Sequence, residues 1–378
     1  MLKPITREII ADLETPVSTY LKLSGNGPTF LLESVTGGEN VARYSFIGLQ
    51  PSTAFVIRDR TTAVHSGPDL ELAATHTGDP FSILRNALAP YSKETPPGLP
   101  RLVGGLVGYL SYDAVRYFEN LPSPEEDPLG LPESVFMMAS TFLIFDHLRH
   151  TIKVVSHAHL DGDVEMAYAA AVRRIDEMVS RLKKPLKLPQ PTNDPVLKGS
   201  GLKINMTRDA YESMIARTRD YIIAGDVIQA VLSQRMARPT SAHPFDIYRA
   251  LRAINPSPYM YYLDLDGFQI VGASPEMLVQ VEDGNVSVHP IAGTRPRGKD
   301  QAEDLALEEE LATDEKELAE HTMLLDLGRN DVGRVSKPGT VRASQMMDVE
   351  RYSHVMHLVS HVTGQLREGY SNYDAFRA

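Results

Sequence analysis

In the first half of the chain, apolar residues come in short runs: "TFLLES", "AFVIRD", "LVGGLVGYLSYD", "VFMMASTFLIFD" and "TIKVVSHAHL". Runs this short, rich in β-branched residues and bounded by Gly, Pro and Asp, predict strands. One helix is expected among them, around "DPFSILRNALAPY". The pattern then changes period. Val164, Tyr168, Ala171, Ile175, Met178 and Leu182 recur at helical spacing and end in basic residues, which the helix dipole favours at a C-terminus. Prolines in "KKPLKLPQPTNDPVLKGSG" interrupt helix and strand alike. The division expected from this break is an N-terminal region 1–182, a linker 183–202 and a second region 203–378.

In the second region Thr207 caps a helix that Gly225 ends, and "DVIQAVLSQRM" predicts a strand. The helix "PFDIYRALRAI" stops at "NPSP". Two hairpins follow, turning at Asp266-Gly267 and Asp283-Gly284. One long helix is expected from Glu303 to Leu327, and the last clear strand is "SHVMHLVSHVTGQL". Consecutive hairpins mean antiparallel pairing. The predicted class is therefore α+β, a sandwich of antiparallel sheets with helices outside, not a doubly wound parallel sheet.

Composition narrows the function. A hydrophobic share of 42% with 23% charged residues suits a soluble globular protein, and no apolar run reaches the length of a membrane span. The start "MLKPITREII" has no signal-peptide apolar stretch, so a cytoplasmic enzyme or binding protein is expected. The absence of cysteine excludes disulfides, thiolate catalysis and Cys-ligated metals within this sequence. A formal net charge of -11 argues against general nucleic-acid affinity but leaves room for a small anionic substrate met by a few placed cations.

Several stretches carry candidate chemistry. In "DEKELAEH", Glu317 and Glu320 stand at i and i+3, so both carboxylates leave one helix face with His321 beside them. Leu311, Leu318 and Leu325 at heptad spacing put the pair at the edge of the buried stripe. Spacing alone leaves two readings open, a solvated face or an oxygen-ligand site suited to Mg²⁺. "HPIAGTRPRG" ends an apolar strand in Gly293-Thr294, where backbone can approach a ligand closely, and Arg295 and Arg297 add positive charge; a polar exit loop is the other reading. In "VMHLVSH", Val355, His357, Val359 and His361 share one face, which makes His357 either a satisfied core residue or a general acid or base. Ser34 after "FLLE", with Pro258, Tyr259 and Met260 in "NPSPYMYYL", reads as turn chemistry singly and as a small amphipathic pocket together.

Taken in order, "LLES…RYSFIG", "NPSPYMYYL", "GASPEMLV", "HPIAGTRPRG", "DEKELAEHTMLLDLGRNDVGRV" and "YSHVMHLVSHVTG" resemble anthranilate synthase component I. The resemblance covers almost the whole chain. It implies conversion of chorismate and ammonia to anthranilate and pyruvate, at the first committed step of tryptophan biosynthesis. It also implies Gly293 and Thr294 as substrate contacts, Glu320 with Glu317 as Mg²⁺ ligands, and His357, Glu276 and Thr294 as catalytic-site residues. Ser34, Pro258, Tyr259 and Met260 resemble the family's tryptophan pocket for feedback inhibition, with Glu33 and Arg43 as weaker additions. A separate glutamine amidotransferase subunit, component II, is the implied partner, because the chain offers no cysteine for a glutaminase. Related aminodeoxychorismate and isochorismate synthases resemble "PIKGT" where this chain has "PIAGT", so Ala292 favours ammonia addition and anthranilate. Family members continue past "NYDAFRA" into further substrate and metal ligands. The C-terminal part of the fold is therefore expected to be absent, and a tryptophan-binding or assembly module without turnover is the alternative reading.

Overall fold

The computed structural model describes residues 2–25, 27–35, 43–91, 96–123, 127–188 and 201–378. The Gly-Gly loop after Ser34, and residues 189–200 of the expected linker, lie outside the described residues. Two compact units are present: residues 1–187 with 248–378, and residues 188–247. The larger unit thus takes chain from both sides of the Pro-rich stretch.

Among the described residues the larger unit holds three sheets, and within them the strands pair antiparallel. The seven-stranded sheet runs Leu2–Ile10, Thr151–His159, Thr141–Asp146, Tyr44–Leu49, Thr29–Glu33, Tyr259–Asp264, Gln269–Ser274. Its last two strands are the first predicted hairpin, which pairs with N-terminal chain through Met260 opposite Glu33. A five-stranded sheet runs Glu71–Thr77, Thr61–Ser66, Thr53–Arg58, Ser134–Ala139, Gly105–Leu110. Phe30, Phe142, Ile144 and Val155 of the first sheet pack against Val107, Val135 and Met137 of the second, so the two inner faces make one core. The helix Val164–Leu182 covers the outer side through Ala171, Ile175, Met178 and Leu182, while Val164 and Tyr168 stay exposed.

A third sheet orders Gln280–Glu282, Asn285–Val288, Val355–Gln365 and Ile291–Pro296, with Arg342–Arg351 also paired to Val355–Gln365. One face is covered by two helices, Gln301–Thr313 and Glu315–Val335, where a single helix was expected. Asp314 explains the break. Its extended backbone ends the first helix, and its carboxylate accepts the Glu317 N–H at 3.0 Å to start the second. Leu311 of the first helix packs with Met356 and Leu358 of the sheet, and all three are fully buried.

In the smaller unit, Thr207 accepts from the Ala210 N–H at 3.2 Å and opens the helix Arg208–Ala224, which closes on Gly225 at φ 83°. The strand expected over "DVIQAVLSQRM" is not formed. Only Met236 joins a two-residue strand, pairing Lys203–Ile204 with Met236–Ala237, and Ile228 and Val231 are exposed. A β-branched run satisfies propensity, but a strand also needs a neighbour for its hydrogen bonds.

Candidate active site

The strand through "PIAGTRP" does not end at the Gly-Thr corner, as its sequence suggested. It continues to Pro296 through a bulge between Ala292 and Thr294. Gly293 makes the bulge possible with φ 71°, and a Cβ there would meet buried Leu358 at 3.0 Å. The bulge turns the Gly293 carbonyl toward His357, whose Nδ1 lies 3.0 Å from that oxygen and 3.1 Å from Thr294 Oγ1. A carbonyl can only accept, so Nδ1 carries the hydrogen and Nε2 is left as the basic nitrogen. Glu276 belongs to the same neighbourhood. It is exposed by area, yet surrounding atoms desolvate its carboxyl and raise its pKa, while positive charge on His357 acts the other way.

Histidine 357 is thus neither a core residue nor alone. Its strand alternates as predicted, with Met356 and Leu358 under the helices and His357 and His361 half-buried on the opposite face. Two residues not foreseen from sequence join that face. Glu350 is the register partner of His357, and Tyr352 sets its ring edge to face against the imidazole at 5.5 Å. The signal was present in "VERYSHVMH", but the side on which Glu350 falls depends on a bulge.

The carboxylate pair also lies as expected on one helix side. Glu317 is 3.0 Å and Glu320 is 3.2 Å from the Lys316 ammonium, so both carboxylates reach a single cation. Glu317 is further tied to Arg295 at 3.5 Å, and Arg295 donates to the Thr294 carbonyl. Two converging carboxylates suit Mg²⁺, which takes its remaining ligands from water and substrate. Among the described residues no group of three or more His, Asp or Glu side chains converges as a metal site. His321 takes no part: it is fully buried, and its Nε2 is hydrogen-bonded to Ser360 Oγ at 2.7 Å. The two arginines that add positive charge beside the Gly-Thr corner are engaged in ion pairs, Arg295 with Glu310 and Asp314, and Arg297 by a fork onto Asp304.

Ser34, Pro258, Tyr259 and Met260 come together in one cavity of about 880 Å³, lined also by Tyr44, Phe46, Gly108 and Tyr109. Strands of both packed sheets contribute to its walls. Glu33 lines it too, but its buried carboxylate accepts from Tyr248 at 2.6 Å and from both nitrogens of an Arg252 fork at 3.0 and 3.2 Å. Arg43, the other weak addition, is not a lining residue. It makes a two-point pair with buried Asp146.

A half-buried histidine with Nδ1 on a backbone carbonyl, and with Glu276 and Glu350 in its neighbourhood on an antiparallel sheet, is an arrangement that can move protons. The family profile described as chorismate binding enzyme matches residues 27–378. The component 1 of anthranilate synthase from Pseudomonas aeruginosa is 47% identical, over 99% of this chain and 76% of that protein. Its counterpart from Acetivibrio thermocellus is 45% identical, over 98% of this chain and 76% of that protein. The crystal structure of anthranilate synthase component I from Streptococcus pneumoniae superposes with a TM-score of 0.76 at 32% identity, covering 98% of this chain and 78% of that one. The menaquinone-specific isochorismate synthase of Escherichia coli, at 14% identity and a TM-score of 0.63, shares the fold. The chain belongs to the chorismate-binding enzymes. Within them it falls in the anthranilate synthase component I group.

Proposed function

We propose that the chain acts as the large subunit of anthranilate synthase, converting chorismate and ammonia to anthranilate, pyruvate and water. The observation that carries this reading is the His357 tautomer: with Nδ1 held by the Gly293 carbonyl, Nε2 is the atom free to move a proton on the polar sheet face. Ammonia forms a bond to ring C2, the ring double bonds shift, and the C4 hydroxyl departs as water after taking a proton. His357, with a second proton on Nε2, supplies that proton from there, and Glu276, with its raised pKa, is the second acid–base group. Cleavage of the enolpyruvyl C–O bond and loss of the C2 proton then give the aromatic product. Thr294 and Gly293 hold the substrate by hydroxyl and backbone. Glu317 and Glu320 would hold Mg²⁺, which supplies charge neutralisation and orientation of the substrate carboxylate. Ala292, small and without an amine, leaves ammonia as the nucleophile.

Two further elements belong to the reading. Tryptophan occupies the cavity of Ser34, Pro258, Tyr259 and Met260 as feedback inhibitor, supported by the apolar lining beside polar strand ends. Ammonia comes from a glutamine amidotransferase subunit in a cytoplasmic complex; among the described residues no helix is long and apolar enough to cross a membrane.

The test is product identity. Chorismate, MgCl₂ and ammonium chloride should yield anthranilate, read by fluorescence and mass. Isochorismate or aminodeoxychorismate would refute the Ala292 argument. Tryptophan binding without any turnover would favour a binding or assembly module. Ser34→Ala should weaken tryptophan inhibition, and unchanged inhibition would count against the pocket.

A further inference from the structure

The strand Arg342–Arg351 carries an irregularity that decides what faces His357. Gln345 pairs with His361 and Asp348 with Val359, so the strand advances three residues while its partner advances two. Without that extra residue Val349 would stand opposite His357, and Glu350 would turn to the helix-covered face. The bulge is held from the far side of the sheet. Met347 adopts a left-handed φ of 57°, and its N–H donates to Ser360 Oγ at 3.0 Å. Ser360 Oγ is in turn hydrogen-bonded to His321 Nε2 on the helix Glu315–Val335, at 2.7 Å, and both side chains are fully buried. Neither group contacts the open face, yet together they set its register.

On that face Glu350 is gripped by Tyr352, whose hydroxyl donates to Oε2 at 3.0 Å, while His289 Nε2 lies 3.9 Å from Oε1. The Tyr352 backbone is fixed as well. Its N–H closes the turn onto the Val355 carbonyl at 2.8 Å, and its own carbonyl accepts from Arg297 at 2.8 Å. With its backbone anchored and its hydroxyl on Glu350, the ring lies against the His357 imidazole at 61°.

We propose that Glu350 is a positioning residue for His357, acting through Tyr352, and that the Ser360–His321 clamp on the Met347 bulge delivers it to the site. The imidazole is then held at Nδ1 by Gly293 and along its face by Tyr352, so that Nε2 keeps one direction toward substrate. This rests on the reading of His357 as an acid–base group.

The experiment compares the wild type with Glu350→Gln, Tyr352→Phe, Glu350→Asp and Ser360→Ala. In the ammonium assay Glu350→Gln and Tyr352→Phe should lower kcat by ~10-fold or more, within the range of a misplaced acid–base group, with the chorismate KM changed less than about twofold. Glu350→Asp should restore part of the rate. Ser360→Ala, which substitutes no side chain on the site face, should lower kcat in the same manner. A second readout does not depend on turnover: with selectively labelled rings, the Overhauser contact between Tyr352 and His357 should weaken in Glu350→Gln and return in Glu350→Asp. An unchanged ring contact, an unchanged kcat, or a rate loss matched by a fall in melting temperature would overturn the inference. A wild type that makes no anthranilate would count against the functional reading, and the ring contact would then decide this inference alone.

Discussion

Replacing Gly293 with alanine tests the backbone that builds the site. The residue sits at φ 71°, where an L side chain costs about 1–2 kcal/mol. Steric overlap adds to this. The new Cβ would lie 3.0 Å from Leu358 Cδ1 and 3.3 Å from Leu311 Cδ1, and both leucines are fully buried. Neither can retreat into solvent, so overpacking contributes about 1–3 kcal/mol. Gly339 provides the control: its φ is 78° with nothing within 4 Å of an added Cβ, so Gly339→Ala carries strain without overlap. The entropic gain from removing a glycine from the unfolded chain is common to both and cancels in the difference. Urea denaturation should therefore find Gly293→Ala less stable than Gly339→Ala by about 1–3 kcal/mol. Because the Gly293 carbonyl holds His357, kcat should fall in the first variant and stay near wild type in the second. Equal destabilisation by the two substitutions would refute the packing argument, and full activity of Gly293→Ala would refute the carbonyl's role.

Arg252→Ala removes the two guanidinium donors that reach Glu33, whose side chain is 1% exposed, and leaves it with Tyr248. Since Arg252 itself is partly solvated, the expected loss is about 1–3 kcal/mol in chemical denaturation; a loss below about 0.5 would contradict it. Asp304 is held down to about 2 from its ordinary 3.8, chiefly by hydrogen bonds from Arg297 and the Gly298 N–H. A depressed folded pKa stabilises above the unfolded value and is lost as pH falls through the folded one. Melting temperature should therefore drop between about pH 4 and pH 2 in the wild type and more shallowly in Asp304→Asn, whereas parallel curves would exclude this pair as a contributor. Glu317→Gln with Glu320→Gln should weaken Mg²⁺ binding by titration calorimetry and raise the Mg²⁺ needed for half-maximal rate, with tryptophan affinity preserved. Unaltered Mg²⁺ binding would remove both residues from the metal site.

Much of the local structure was legible because its causes are local. Asp266-Gly267 and Asp283-Gly284 take the positive φ angles a tight hairpin demands, and Thr207 and Gly225 bracket their helix as capping chemistry requires. The alternation around His357 correctly separated its two faces. Some strands were not anticipated, for two reasons. Glu71–Thr77 is an edge strand with nearly every residue exposed, so it has no apolar face to announce it. Arg342–Arg351 mixes apolar and polar residues on both faces across two bulges, with Met346 exposed and Gln345 partly buried, which breaks the period that sequence reading depends on.

By itself, then, the sequence determined the class of fold, the turns and caps, and the residue types at the site, since propensity, periodicity and backbone conformation act within a few positions. Tertiary structure decided which of those residues meet. Ser34 shares a cavity with Pro258–Met260 because Thr29–Glu33 pairs with Tyr259–Asp264, a choice that no single strand contains. Glu350 faces His357 because of one extra residue at Met347, and Arg295 and Arg297 are taken up in ion pairs because acidic side chains of the helices lie within reach. A strand's faces are written in its own period, but its register is set by its neighbours, and a shift of one residue exchanges one face for the other.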